Sequence, residues 1–235
     1  MKITFLTFTA LLTVLAASAQ IPDSLKRLGA GRTASDSGQT ASGLKQALEI
    51  GTKNTVSLTG AKDGFFRDEA IKILLPEKLR PVEKALRFAG QGQIVDDFVL
   101  SMNRAAEKAA PAAGSIFNDA IQRISFADAR SILTGGDTAA TMYFKDKTSD
   151  QLRTAFTPPV KSAMEQAGVT QRYKAMTSGL QTLPFGRSVN FDLDDYVVNK
   201  TLDGLFTVLG QEEKKIRTNP AAQVTPLLRQ VFGHR

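Results

Sequence analysis

From Ser42 onward the apolar residues of this chain recur at intervals of three and four, the repeat of one face of an α-helix. The clearest stripe is Ile94, Val95, Phe98, Met102, Ala105, Ala106 and Ala109, ending before Pro111; its alanine-rich end predicts close approach by another helix. Neither sustained apolar–polar alternation over several strands nor a repeat of fixed period is present. The expected class is all-α: a single globular multi-helix bundle of about eight to ten helices, with little or no sheet.

Punctuation divides the pattern into elements. Ser42 is expected to cap a helix whose buried face carries Leu44, Ala47, Leu48, Gly51, Thr55 and Leu58, with Gly60 as its stop. After an Asp63-Gly64 turn, the apolar cluster from Phe65 to Leu75 reads as an extended segment or a two-strand hairpin. Pro76 and Pro81 suit a first helical turn, before a helix facing inward with Val82, Ala85, Leu86 and Ala89 and ended by Gly90 and Gly92. Ile116, Phe117, Ala120, Ile121 and Ile124 form the next stripe, and Ser125 with Asp128 resembles a capping box. Thr148 or Ser149 is expected to cap a longer helix that Pro158-Pro159 kinks or splits. A helix from Thr170 with Tyr173, Met176 and Leu180, a loop over 183–190, a helix capped by Asp192 or Asp194, and a short closing helix after Pro226 complete the chain.

The N-terminus reads as an address. Lys2, the apolar run Ile3–Ala16 and the small-residue box Ala17-Ser18-Ala19 predict a cleaved secretory signal over residues 1–19. Residues 20–41, rich in Gly, Ser, Thr and Ala, read as a flexible leader, and 42–235 as one helical domain. The protein is therefore expected in the periplasm or outside the cell, with no transmembrane helix in its mature chain. Its net charge of +7 is dispersed, which outside the cytoplasm points away from nucleic acid. An envelope protein, a lipid or an anionic envelope surface is the expected partner.

Composition removes most catalytic chemistry. Cysteine is absent and His234 is the only histidine, which excludes thiolate nucleophiles, disulfides, zinc sites of the usual kind and Ser-His-Asp triads. No cofactor or metal is expected: Asp192, Asp194 and Asp195 lack the ligand spacing of a calcium loop and suit capping. The remaining candidates fall in three groups. Thr134, Gly135, Gly136, Asp137 and Thr141 frame a glycine break before a helix start, where N–H groups can meet an anion; the Asp137 carboxylate would instead cap the helix itself. Asn103, Arg104 and Glu107 are expected to form a network with Glu212, Glu213 and Arg217 on a later helix. Tyr143 beside Phe144 reads as core, and the run Lys214-Lys215-Ile216-Arg217 as a contact for anionic lipid or a favourable helix end.

Several phrases together carry a family resemblance. They are Leu74-Leu75-Pro76-Glu77-Lys78-Leu79-Arg80, Met102-Asn103-Arg104-Ala105-Ala106-Glu107, and Ile132-Leu133-Thr134-Gly135-Gly136-Asp137-Thr138-Ala139-Ala140-Thr141 with Tyr143-Phe144. Asp203-Gly204-Leu205-Phe206 and the run from Glu212 to Ala222 come after them in order. Over about residues 42 to 233 the chain resembles an uncharacterised bacterial family of exported helical proteins, catalogued as domain of unknown function forty-one ninety-seven. The resemblance implies a helical envelope protein and brings no activity, cofactor or catalytic residue with it.

The expected function is a non-enzymatic envelope module that binds a partner protein or a lipid-like, apolar ligand between its helices. Two alternatives stand beside it. One is a carboxylate-dependent hydrolase of an envelope polymer, using Glu107 with Glu212 or Glu213. The other is a peripheral protein of an anionic membrane surface.

Overall fold

The computed structural model describes residues 23–166, 168, 169, 171, 173, 174 and 192–233, with side chains from residue 40 on. The expected signal over 1–19, the loop over 183–190, Met176, Leu180 and His234 lie outside the described residues. The chain divides into two compact units, residues 1–38 and 39–235. In the first, the described residues are helical from Asp23. The second contains the hydrophobic core.

The described residues form α1 (Asp23–Gly60), α2 (Arg80–Phe88), α3 (Gly92–Ala109), α4 (Ala113–Gln122), α5 (Phe126–Thr134), α6 (Ala139–Gln166), α7 (Leu193–Thr218) and α8 (Pro226–Phe232). Short 3-10 turns sit at Glu77–Leu79, Ala110–Ala112 and Pro220–Ala222, and no strand is present among the described residues. The class is all-α, as the periodicity implies, with seven helices of nine residues or more and a closing helix of seven among the described residues.

The core lies where α3, α4, α6 and α7 meet. Val95, Phe98, Met102, Ala105, Ala106 and Ala109 of α3 are all fully buried, so the predicted stripe is the inward face. Phe117 of α4 packs edge-on against Phe144 of α6 and Phe206 of α7, with ring centroids 5.4 and 6.2 Å apart. Three helix starts use the side chains that the sequence offers. Ser125 and Asp128 form a reciprocal capping box. Asp192 accepts from the amide of Asp195 at 2.9 Å, and Thr225 from that of Leu228 at 3.2 Å.

Elsewhere the elements depart from the expected boundaries. α1 begins at Asp23 rather than at a Ser42 cap, because no proline interrupts 23–60 and its glycines are tolerated within a helix. Its inner face continues through Thr52, Thr55 and Thr59, while Leu58 is 52% exposed. Each threonine hydroxyl donates to a carbonyl four residues earlier at 2.7 Å, which satisfies the polar group within its own helix and lets it be buried. Thr148 and Ser149 do the same to Phe144 and Lys145, so they do not cap, and α6 runs unsplit from Ala139 through Pro158 and Pro159. Two helices expected on either side of Thr148 are therefore a single element. On α2 only Val82 is buried; Ala85 and Ala89 are exposed, and Gly90 alone ends it, at φ +74°, with Gly92 already inside α3.

From Ile71 to Leu75 burial alternates, with Ile71, Ile73 and Leu75 buried, Lys72 half-buried and Leu74 exposed. This is the alternation of a strand, with a helix side chain in place of a second strand.

Candidate functional site

Two buried polar networks account for most of the candidate residues. In the first, Asn103, Arg104 and Glu107 occupy neighbouring positions on α3. The amide of Asn103 accepts from Ile73 N and donates to Ile73 O, both at 2.8 Å, and donates again to Val99 O at 2.8 Å. It thus makes the two hydrogen bonds that a neighbouring strand would make. One turn on, Glu107 Oε1 accepts from the amides of Phe65 and Phe66 at 3.2 Å, while Oε2 accepts from Arg104 at 2.6 Å. Arg104 also reaches Asp63, whose carboxyl the guanidinium hydrogen bond holds below its ordinary value. Asp63 sits at φ +70°, and at Gly64 a Cβ would lie 2.1 Å from Leu58 O, so this turn needs its glycine.

The second network starts α6. Glu213 of α7 accepts from Ala140 N at 2.8 Å with Oε1, and from Thr141 N and Thr141 Oγ1 at 2.7 Å with Oε2. Arg217, one turn later, donates through Nε to Glu213 at 2.9 Å and through Nη2 to Ile132 O at 2.8 Å. Its guanidinium lies 5.6 Å from the Phe232 ring centre, and its Nη1 is buried without a hydrogen-bond partner among the described residues. Glu212 is buried too, accepting from Asn54 at 2.9 Å and pairing with Lys215 at 3.4 Å.

The expected single network across α3 and α7 is therefore two. Glu107 is engaged with residues 63–66, Glu213 with the start of α6 and Glu212 with α1, and the three carboxylates share no hydrogen-bonding partner. At the 134–141 break Glu213 of the same chain takes the N–H groups expected to be capped by Asp137, and Asp137 is exposed. Thr134 donates to Arg130 O at 3.0 Å, Gly135 ends α5 in an extended conformation, and Gly136 is exposed. Tyr143 is partly buried against Phe144, which raises its phenol above its ordinary value. The basic run 214–217 does not act as one surface patch, because Arg217 is inside the protein.

Two concavities frame these networks differently. Between α1, α6, α7 and α8 lies a mostly apolar cavity of about 20 Å³, room for a single water. Over the 66–75 segment, α2 and α3 lies an external groove of about 510 Å³. Arg87 at its edge is paired with Glu83 and Asp96, and Arg80 with Glu77. Lys72, 4.5 Å from the centre of the Phe66 ring, and Lys84 have no acidic partner among the described residues, and Leu74 is 56% exposed beside them. Phe66, Lys72, Leu74 and Lys84 do not stand out as site residues in the sequence; the signal for two of them is the alternation from Ile71 to Leu75.

The model of a family described as a protein of unknown function, DUF4197, matches residues 34–233. The chain belongs to this family. Comparison with curated proteins and with solved structures gives no match. Family membership covers both networks and the groove, and each phrase behind the resemblance now has a structural role in at least one residue. Leu74 O accepts from the Tyr196 hydroxyl, Asn103 pins Ile73 and Glu107 the turn at Phe65 and Phe66, Thr141 meets Glu213, and Gly204 lets Phe65 approach α7.

Proposed function

We propose that this chain is an exported, non-enzymatic module of the bacterial envelope that docks an acidic segment of a partner protein in the groove over Lys72, Leu74 and Lys84. The observation that carries the reading is the pair of lysines without acidic partners flanking an exposed leucine in a concave surface. Concave, partly apolar sites with a few converging polar groups are where ligands are held, and unpaired lysines favour an acidic one. A lipid chain inside the bundle is not the reading the geometry favours, since a cavity of about 20 Å³ has no room for one. Carboxylate-dependent hydrolysis is not favoured either. Glu107 and Glu213 are each filled by backbone amides and an arginine, leaving neither to serve as an acid beside a substrate.

The test is fluorescence anisotropy with a labelled glutamate- and valine-rich peptide against the mature protein. The expected result is saturable binding that weakens with salt and falls by about tenfold or more in a Lys72→Glu/Lys84→Glu double variant, as befits rim charges that steer an acidic partner. Binding indifferent to both would overturn the reading.

A second reading has one observation of its own. Phe88, at the end of α2 next to Arg87, is 98% exposed, an aromatic placed as an interfacial anchor beside basic residues. Co-sedimentation with phosphatidylglycerol vesicles that is lost in Phe88→Ser would favour a membrane surface over a protein partner. Sedimentation unchanged in that variant would remove it.

A further inference from the structure

Another external groove, of about 560 Å³, runs between α6 and α7. The two helices are antiparallel, since Glu213 meets Ala140 and Thr141 at one end and Asp195 meets Arg153 at the other. Gly210 of α7 lies low in the groove. A Cβ there would stand 3.5 and 3.8 Å from the methyl groups of Thr138 and Thr141, which are ordinary contacts in regular helix. The fold therefore does not require this glycine, and alanine would favour the helix more. What the missing side chain provides is room for another backbone to approach α7 closely. The hydroxyls of Thr141 and Thr207, which also line the groove, are already donated to Glu213 and to Asp203 O.

The rim is basic. Lys145 and Lys214 are exposed and have no acidic partner among the described residues, while Asp203 is paired with Lys200 at 3.6 Å. With Gly210 opposite Thr138 and Thr141, the two lysines stand at opposite ends of the groove, roughly 14 Å apart at the rise of an α-helix. Met142, 62% exposed, lies between them.

The walls decide the shape of the occupant. Both are helices whose backbone N–H and C=O groups bond within the helix, so an extended segment laid here would find none of the main-chain partners that a strand needs. A helix brings its backbone already satisfied, and helices pack at about 8–10 Å between axes where side chains are small. Carboxylates at i and i+7 of such a helix, roughly 10.5 Å apart, come within reach of both flexible lysine stems. Apolar residues at i+3 and i+4 then lie over Met142 and Gly210.

We infer that the α6–α7 groove docks an amphipathic acidic helix of a partner protein, its carboxylates paired with Lys145 and Lys214. This surface is separate from the groove over Lys72, Leu74 and Lys84, and its failure would leave that docking proposal untouched.

The experiment follows the Met142 methyl by NMR in the mature protein. The probe is an alanine-based helical peptide with glutamates at i and i+7 and leucines at i+3 and i+4. A saturable Met142 shift that weakens with salt is expected, with binding about tenfold or more weaker for the same peptide carrying a central proline. Gly210→Gln fills the groove with a good helix former, and should abolish the shift while thermal stability is unchanged or raised. Lys145→Glu/Lys214→Glu should weaken binding by about tenfold or more. Lys72→Glu/Lys84→Glu should leave it unchanged, which separates the two grooves. No saturable shift, equal binding of the proline peptide, or binding unchanged in Gly210→Gln would each overturn the inference. So would a Met142 shift that grows with protein concentration alone, which would assign the groove to a second copy of the chain.

Discussion

Glu213 Oε2 accepts from both the backbone N–H and the hydroxyl of Thr141, each at 2.7 Å, so a side chain of α7 caps the first turn of α6. A helix N-terminus leaves its first N–H groups without intrahelical partners and carries partial positive charge. Here a buried carboxylate from a different helix meets both needs, and Arg217 balances its charge. Removing the carboxylate leaves the arginine buried and unpaired. Glu213→Ala is therefore expected to destabilise the fold by about 3–5 kcal/mol, in the range for breaking a buried pair from one side. Thr141→Val, which removes only the hydroxyl, should cost about 1–2 kcal/mol. Urea denaturation followed by far-UV circular dichroism measures both; equal and small losses would contradict the capping role.

Asn103 offers the second test. Its amide makes three hydrogen bonds at 2.8 Å, two of them to Ile73. Asn103→Leu keeps the size but leaves the buried N–H and C=O of Ile73 without partners, at about 2–4 kcal/mol in total. Asn103→Asp keeps the acceptor and loses both donor bonds, and should be nearly as damaging. Hydrogen exchange localises the effect: the Ile73 amide is expected to lose protection in the leucine variant before amides of α6 and α7 do.

The contrast between these residues explains how far the sequence can be read. Helix positions and the inner face of α3 are legible because burial repeats with the helical period, and the Ser125–Asp128 box because its partners are three residues apart. Asn103 and Glu213 are recognisable as unusual, being polar residues beside apolar stripes. Their partners are not, since Ile73 is 30 residues and Thr141 72 residues away, and no local spacing encodes such a distance. On α1 the sequence pattern includes Thr55 in the inner face but not Thr52 or Thr59: counting apolar residues treats threonine as polar, whereas its hydroxyl vanishes into its own helix. The Lys72–Leu74 groove depends on what α2 and α3 leave uncovered, which is a property of packing alone.

Asp63 gives a pH-dependent prediction. Its carboxyl is lowered from an ordinary value of 3.8, chiefly by the hydrogen bond from Arg104. A carboxyl with a depressed folded-state value contributes stability above its unfolded value, and that contribution is lost as pH falls through the folded value. Carbon-detected NMR titration should place Asp63 below 3.8 in the native protein and return it toward 3.8 in Arg104→Gln. Asp194 provides the opposite sign, since burial raises it, so its contribution is fully present below its unfolded value and lost as pH rises through its folded one. An Asp63 value unmoved by Arg104→Gln would remove the guanidinium as the cause.

Gly204 and Gly51 both face neighbouring side chains, yet they should respond to alanine with opposite signs. At Gly204 a Cβ would stand 2.5 Å from Phe65 Cε1 and 3.2 Å from Ile71 Cβ, in a fully packed part of the core. Phe65 cannot retreat easily, because its own amide is held by Glu107. Gly204→Ala should therefore destabilise by about 1–3 kcal/mol through overpacking. At Gly51 the nearest atom is Ile216 Cδ1 at 3.6 Å, so alanine fits and gains helix propensity, stabilising by about 0.5–1 kcal/mol. If the clash at Gly204 is with the Phe65 ring, shortening that ring in Phe65→Leu should cost less in the Gly204→Ala background than in the wild type. A double-mutant cycle with additive losses would instead assign the strain to Ile71 or to the α7 backbone.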